Sequence, residues 1–352
     1  MALTRQSKTM TFTRVFEGPT SFRGQPASTL LSIANPNSEE ITVRLALPGN
    51  SQGQSSAEWI EPSGARAPDQ IRTIAPRGAL FGTVSEIFEE DLNVSSGFIQ
   101  VEVTEGEGAV GFELIQLQNQ DTVIGLNASF GSDQTESFSA QLATVAASVF
   151  TNLKVLNTSD ENRSLRLTAV AEDGTDLAAP VETNLGPGEF LEQDAGQVFA
   201  FEGDAVGSLK IEADGDGVIG DVIFGDVVGL NFAASLPLQT ETFTEAVFSQ
   251  VADLPGLFFT GLAFYNPGAV DAEITIEIIS AEGEAAGQAV RVLEAGRRLS
   301  ELTSQLVPDS AGQAGGYVLV RSDQPLIAQI IFGGLGPGGI TLFSAVPPTV
   351  VQ

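Results

Sequence analysis

The sequence predicts an all-β fold of three tandem β-sandwich domains, and three observations carry that prediction. An apolar phrase ending in Asn occurs three times, as Leu30-Leu31-Ser32-Ile33-Ala34-Asn35, Asn152-Leu153-Lys154-Val155-Leu156-Asn157 and Gly261-Leu262-Ala263-Phe264-Tyr265-Asn266. A turn glycine follows each phrase, at Gly78, Gly188 and Gly296, and a second glycine that opens a strand lies 19, 19 and 20 residues further on, at Gly97, Gly207 and Gly316. Between the turns run short alternating stretches such as Ile41-Thr42-Val43-Arg44-Leu45 and Glu273-Ile274-Thr275-Ile276-Glu277. Self-similarity at roughly 110 residues marks repetition of one domain rather than one large fold. Period two over five to seven residues marks half-buried strands, and turn residues spaced at about eight to twelve residues suit a sandwich.

The elements follow in order. Residues 1–10 form a polar N-terminal arm, and the first repeat spans 11–130. That repeat carries an inserted loop at about 48–66, which holds Trp59, the one tryptophan of the chain. The second repeat spans 137–238 and the third 241–352. The first linker, Gly131 to Glu136, is polar and expected to be exposed, whereas Leu236-Pro237-Leu238-Gln239 is short and apolar, so the second and third domains should abut. The Asn that ends each phrase sits at a turn, where its side chain caps nearby backbone amides, and Pro36 and Pro267 preset the next residue. Apolar residues three or four apart predict a short helix over Thr83–Phe88 and another over Ser300–Leu306, while Glu192–Phe199 contains glycine and is not assigned one.

Composition excludes several classes. The chain has no Cys and no His, so a disulfide, a thiol nucleophile and a Ser-His-Asp triad are all ruled out. Its 45 acidic residues outnumber 16 basic ones, for a net charge of −29, which gives no basic footprint for nucleic acid. Such a surface keeps a protein soluble. No apolar run reaches the roughly 20 residues of a membrane span. The first ten residues lack the apolar stretch of a signal peptide. Scarce Lys and plentiful Gly, Thr, Ser and Val nevertheless suit an exported bacterial protein whose leader is not present in this chain, and hence an extracellular or cell-surface location.

The phrase ending in Asn-Pro, the alternating strand, the Gly turn, the Ser-Glu-Leu segment and the run Gly316 to Gly333 together resemble tandem immunoglobulin-like repeats of exported bacterial proteins. The third repeat shows this best, and Asn157 lacks the following Pro. The resemblance implies an exported array of β-sandwiches and supplies no catalytic residue.

Candidate chemistry is sparse. Asp214-Gly215-Asp216-Gly217, with Asp221 beyond, opens like a calcium loop, making Asp214, Asp216 and Asp221 weak calcium ligands. However, Val218 and Gly225 stand where further oxygen ligands belong, and an exposed Asp-Gly hairpin turn is the better reading of the stretch. Acidic clusters at Glu86–Asp91 and Glu172–Asp176 read as solvated surface rather than a catalytic pair. Trp59 in the inserted loop is the ligand-binding candidate.

The expected function is therefore a non-enzymatic, exported structural or adhesion protein of a cell surface, matrix or filament. It would need no cofactor and would associate with itself or with other surface components. The N-terminal arm, residues 1–14, is the candidate donor strand for such assembly. The alternative is a monomeric carbohydrate- or surface-binding module that uses loops of the first repeat.

Overall fold

The computed structural model describes residues 6–48, 51–52, 69–117, 122–127, 129, 131–337 and 339–351. Its secondary structure is almost entirely antiparallel strand. The first unit contains β1 (Thr9–Phe12), β2 (Gly18–Phe22), β3 (Gln25–Ala34), β4 (Ile41–Ala46), β5 (Ser51–Gln52), β6 (Gln70–Ile74), β7 (Ala79–Thr83), α1 (Val84–Phe88), β8 (Ile99–Glu105), β9 (Val110–Leu117) and β10 (Val123–Asn127). The second contains β11 (Glu136–Thr144), β12 (Val149–Asn157), β13 (Arg163–Ala171), β14 (Val181–Leu185), β15 (Phe190–Asp194), α2 (Ala195–Phe199), β16 (Ala205–Ala213), β17 (Val218–Asp226) and β18 (Ala233–Pro237). The third contains β19 (Phe243–Phe248), β20 (Phe258–Tyr265), β21 (Ala272–Ile279), β22 (Ala285–Leu293), β23 (Arg298–Leu302), α3 (Thr303–Leu306), β24 (Tyr317–Gly336), β25 (Gly339–Val346) and β26 (Thr349–Val350).

One strand order is built three times. In the first unit a sheet ordered β1-β8-β4-β6 faces one in which β3 lies between β9 and β7 and β10 pairs β9. The second unit repeats this as β11-β16-β13-β14 and β18-β17-β12-β15. In the third, β24 is continuous. Its first half pairs β19 and β21, its second half pairs β20 and β25, and the two layers thereby join into one eight-stranded sheet. Each sandwich-like pair of layers has its own core. Phe12, Leu31, Ile33 and Phe88 lie in the first, Leu153, Leu167 and Ile211 in the second, and Phe248, Phe264 and Ile276 in the third.

The repeated Asn is a pillar of each unit. Asn35, Asn157 and Asn266 are each at most 1 % exposed. Each Nδ2 donates to the carbonyl four residues on, at 2.8, 2.7 and 2.8 Å, and to a carbonyl at the far strand end, Ile74, Leu185 or Leu293. Each Oδ1 accepts the amide two residues on at 3.0 Å. The turn chemistry predicted from sequence is therefore present, extended by a bond that ties two strands. Six residues earlier a buried Thr recurs. The hydroxyls of Thr29, Thr151 and Thr260 bond both the amide and the carbonyl of Phe16, Ala143 and Ala252, closing the neighbouring hairpin in all three units.

Four sequence expectations need correction. The Gly turns are offset in the first unit. The amide of Asn35 bonds the carbonyl of Gly78, whereas Asn157 and Asn266 bond Glu189 and Arg297, so Arg77 occupies the place of Gly188 and Gly296. Arg77 accordingly adopts φ 57°, beside 71° and 72° for the glycines. The Asp214–Gly217 turn is a corner between layers, not a hairpin, because β16 and β17 belong to different sheets. Val123–Asn127 and Val227–Asn231 look alike in sequence, but only the first is a strand (β10), and the second is a turn with Gly229 and Leu230 at positive φ. The middle unit also has its helix, α2, and α3 is shorter than expected because Ser300–Leu302 belongs to β23.

The arm is not free either. Ser7 bridges Ala109, and Thr9–Phe12 pairs Ile99–Glu102, so the proposed donor strand already fills the edge of its own sheet from Ser7 onward.

Candidate functional site

The side chains with unusual chemistry gather where one unit meets the next. Cross-strand register defines the face involved. In the second unit Lys154 of β12 stands opposite Glu192 of β15 and Asp221 of β17. In the third, Ala263 stands opposite Ser300 and Gln329. In the first, Ser32 stands opposite Phe81 and Phe112. These are the same three strands of each unit, so the rows are equivalent.

At the first junction Arg14, which follows β1, reaches from the first unit onto the second unit's row. Its Nε donates to Asp221 at 2.8 Å, and its Nη1 to Glu192 at 2.9 Å and to the Asn152 side chain. Thr13 donates to the second oxygen of Asp221 at 2.7 Å. Lys154 bonds Glu192 at 2.8 Å, donates to the carbonyl of Gly97, and lies 4.0 Å from the centre of the Phe190 ring. Ser96 also donates to Glu192. Arg14, Lys154 and Asp221 are fully buried. Burial alone would pull the Arg14 guanidinium down, yet Asp221 and Glu192 beside it outweigh burial and hold it above its ordinary value. Burial dominates at Lys154 and draws its ammonium below the ordinary value, with Glu192 opposing. At Glu192 burial is outweighed by Lys154 and Arg14, which keep the carboxylate below its usual range.

Two cations and two carboxylates thus balance inside the junction. A third acid, Glu113 on β9, is fully buried, and neither carboxyl oxygen has a hydrogen-bond partner among the described residues. Burial, reinforced by the negative charge of Asp221, pushes its pKa well above the ordinary value. Around this polar centre, Phe16, Phe22, Ile115 and Leu117 of the first unit pack on Phe150, Ile223 and Ala233 of the second, and Phe98 packs on Leu156, Phe190 and Ile219.

The second junction puts amides at the positions of Arg14 and Asp221 and places its buried charge on Arg298 instead. Thr29 bonds Phe16 and Thr151 bonds Ala143, which makes Gln141 the counterpart of Arg14, two residues before each partner. The amide of Gln141 and the hydroxyl of Ser139 donate to the side-chain oxygen of Gln329, the counterpart of Asp221, at 3.1 and 3.0 Å. Arg298 donates to the Ala140 carbonyl at 2.7 Å, to the Gln141 side chain at 3.0 Å and to Glu172 at 2.7 Å. Burial pulls Arg298 down to about 10 against the pull of Glu172.

Of the sequence-derived candidates only Asp221 lies in a junction. Asp221 is committed to Arg14 and Thr13, Asp216 to Arg163 at 3.0 Å, and Asp214 accepts the amide of Ser164, so each of the three aspartates has a different partner. Among the described residues no group of three or more carboxylates is placed to hold a metal ion. Trp59 and the inserted loop, apart from Ser51 and Gln52, lie outside the described residues. Those two form β5, which pairs in parallel with Phe190 and Leu191 of the second unit. The acids at Glu86 and Glu89 serve locally. Glu86 completes the capping box of α1 with Thr83, and Glu89 pairs Arg72.

A scan of protein-family models finds no match to this chain, and a search of curated proteins finds none either.

Proposed function

We infer that this chain is a non-enzymatic structural protein, exported to a cell surface or matrix, in which three tandem immunoglobulin-like β-sandwiches are locked into a rigid block that assembles with further copies. The thrice-repeated strand order supports the domain reading, and the lack of His and Cys supports a non-catalytic one. One observation carries the assembly. The row that the first unit covers in the second, and the second covers in the third, stands bare in the first. There Phe112 is 39 % exposed and Ser32 half-buried, against 0 % for their counterparts Asp221 and Lys154 and 3 % and 5 % for Gln329 and Ala263, while Phe81, 66 % exposed, stands where the second unit has half-buried Glu192 and the third has exposed Ser300. Around them on the same face are Ala34, Val110, Leu30 and Leu114, and this surface carries no charge on a chain of net charge −29. Exposed apolar faces of this kind mark interaction sites. Phe112 borders a small cavity shared with residues 235–237 and 344–348, which leaves Phe81 the freer of the two.

Sedimentation velocity and negative-stain microscopy of the full chain test this. The expected result is association that grows with concentration and is lost in Phe81→Glu, with the circular dichroism spectrum unchanged. A chain that stays monomeric at high concentration, or a variant that associates as the parent does, overturns the reading.

A further inference from the structure

The two junctions differ at one place where the first is filled and the second is open. In the first unit the hairpin that leads from Phe16 to Thr29 spans 13 residues, whereas the equivalent spans, Ala143 to Thr151 and Ala252 to Thr260, are 8. The longer hairpin delivers two side chains into the first junction. Phe22 packs edge-on against Phe16 at 4.9 Å within the cluster that includes Phe150. Arg23 lays its guanidinium over the Phe150 ring at 3.9 Å and pairs with Asp194 at 2.6 Å.

In the second junction the receiving half of this arrangement persists without the plug. Phe259 precedes Thr260 as Phe150 precedes Thr151, and Leu302 takes the register position of Asp194. The shorter hairpin supplies nothing to lie on the ring. What remains is a cleft of about 410 Å³ lined by Phe224, Phe232, Phe259 and Phe343, with the hydroxyl-bearing Ser148 and Ser300 among its polar residues. That volume falls within the range of small-molecule sites, and apolar walls with a few polar groups are their usual composition. No residue lining the cleft is charged. The acid that answers Arg23 in the first junction has become Leu302, so the site has no requirement for a cation.

We propose that the cleft between the second and third units binds a small, planar, uncharged aromatic molecule, which stacks against Phe259 where Arg23 stacks against Phe150. Hydrophobic burial supplies the affinity, and the two serines orient a polar substituent on the ligand. The proposal is independent of the assembly reading, because Phe81 is on the first unit and the cleft lies between the other two.

The test uses the full chain and N-phenyl-1-naphthylamine, a neutral probe whose fluorescence rises in apolar surroundings. One site per chain with micromolar affinity is expected. A Cβ on Gly261 meets only the tip of Leu302 at 3.9 Å, so Gly261→Trp fills the cleft without backbone strain, and it should reduce binding at least tenfold. Ser300→Trp, made at an exposed residue on the rim, should do the same if the first variant folds poorly. Phe81→Glu should leave binding unchanged. The proposal is overturned if the parent shows no saturable site, if both tryptophan variants bind as the parent does, or if Phe81→Glu removes the signal. The last result would place the probe on the bare face of the first unit.

Discussion

The two junctions are variations on one contact, and comparing them separates what the contact requires from what it tolerates. Both set the residue two before a hairpin, Arg14 or Gln141, against the same receiving strand, β17 or the second half of β24, through its side chain in the first and its backbone amide in the second. The first solves the burial of polar groups with balanced charge and fills the adjoining space with Phe22 and Arg23. The second combines the Gln141 and Gln329 amides with one ion pair, Arg298 and Glu172, and leaves a cleft. Buried charge is costly unless fully paired, so the first junction, with the denser charge network, is the more vulnerable to loss of a single member. Strand register and hydrogen-bond satisfaction are therefore what the two contacts share, and the position of the buried charge is what varies.

The largest expected effect breaks this comparison at its centre. Arg14→Ala leaves Asp221 in the interior with only the Thr13 and Ser235 hydroxyls and should destabilise the protein by about 3–5 kcal/mol in urea unfolding. Gln141→Ala removes one acceptor of Arg298 and should cost about 1–2 kcal/mol. Equal costs would show that the charges at the first junction have no special weight.

The next effect is a pH dependence carried by buried carboxyls of the first unit. Burial raises Glu17 to about 7, although the Thr29 amide donates to it. A carboxyl raised in the folded state holds its proton there more tightly than in the unfolded chain. Its contribution is therefore favourable at low pH and is lost as pH rises from the ordinary 4.5 through about 7. Glu17→Gln should be more stable than the parent at pH 8 by on the order of 1–3 kcal/mol, and the difference should vanish near pH 4. Glu113→Gln should behave in the same direction, since Glu113 is raised as well. A constant difference across that range would contradict the assignment.

The smallest effect is local. Arg77 holds the left-handed conformation that Gly188 and Gly296 hold in the other units. Arg77→Gly should stabilise the first unit by about 1 kcal/mol, seen as a small rise in Tm, because an L-residue is strained there and glycine is not. A fall in Tm would mean that the Arg77 side chain contributes more than its backbone costs.

Much of the architecture was legible. Alternation located the central strands, and the Asn phrases marked the same pillar in every unit. The Thr at the sixth position before each Asn was equally visible as a recurring residue and passed unnoticed, since a lone Thr in a strand is an ordinary β-former. Gly78 misled because it lies beside the residue that bears the positive φ. The junction network was not legible as a whole. Arg14 and Asp221 are 207 residues apart, and charges in an acidic chain read as solvent-facing. Two hints existed all the same. Glu113 shares the inward register of Ile115 and Leu117, and Lys154, one of three lysines, interrupts an apolar phrase. A charge on the buried side of an alternating strand signals a paired interior site or a covered face. The cleft had no sequence signal beyond the difference in hairpin length, because its walls come from two units.

The uninterrupted β24 has a mechanical consequence. In the first two units the strands of opposite layers are joined through corners at residues 106–109 and 214–217, so a tensile load passes between layers through a loop. In the third, twenty residues run from one layer into the other as a single extended strand. Load entering there is carried along the backbone itself, and the two layers share it as one body. The two layers of the C-terminal unit are thus tied by the hydrogen bonds of one shared strand, and they should part less readily than layers joined only by a loop.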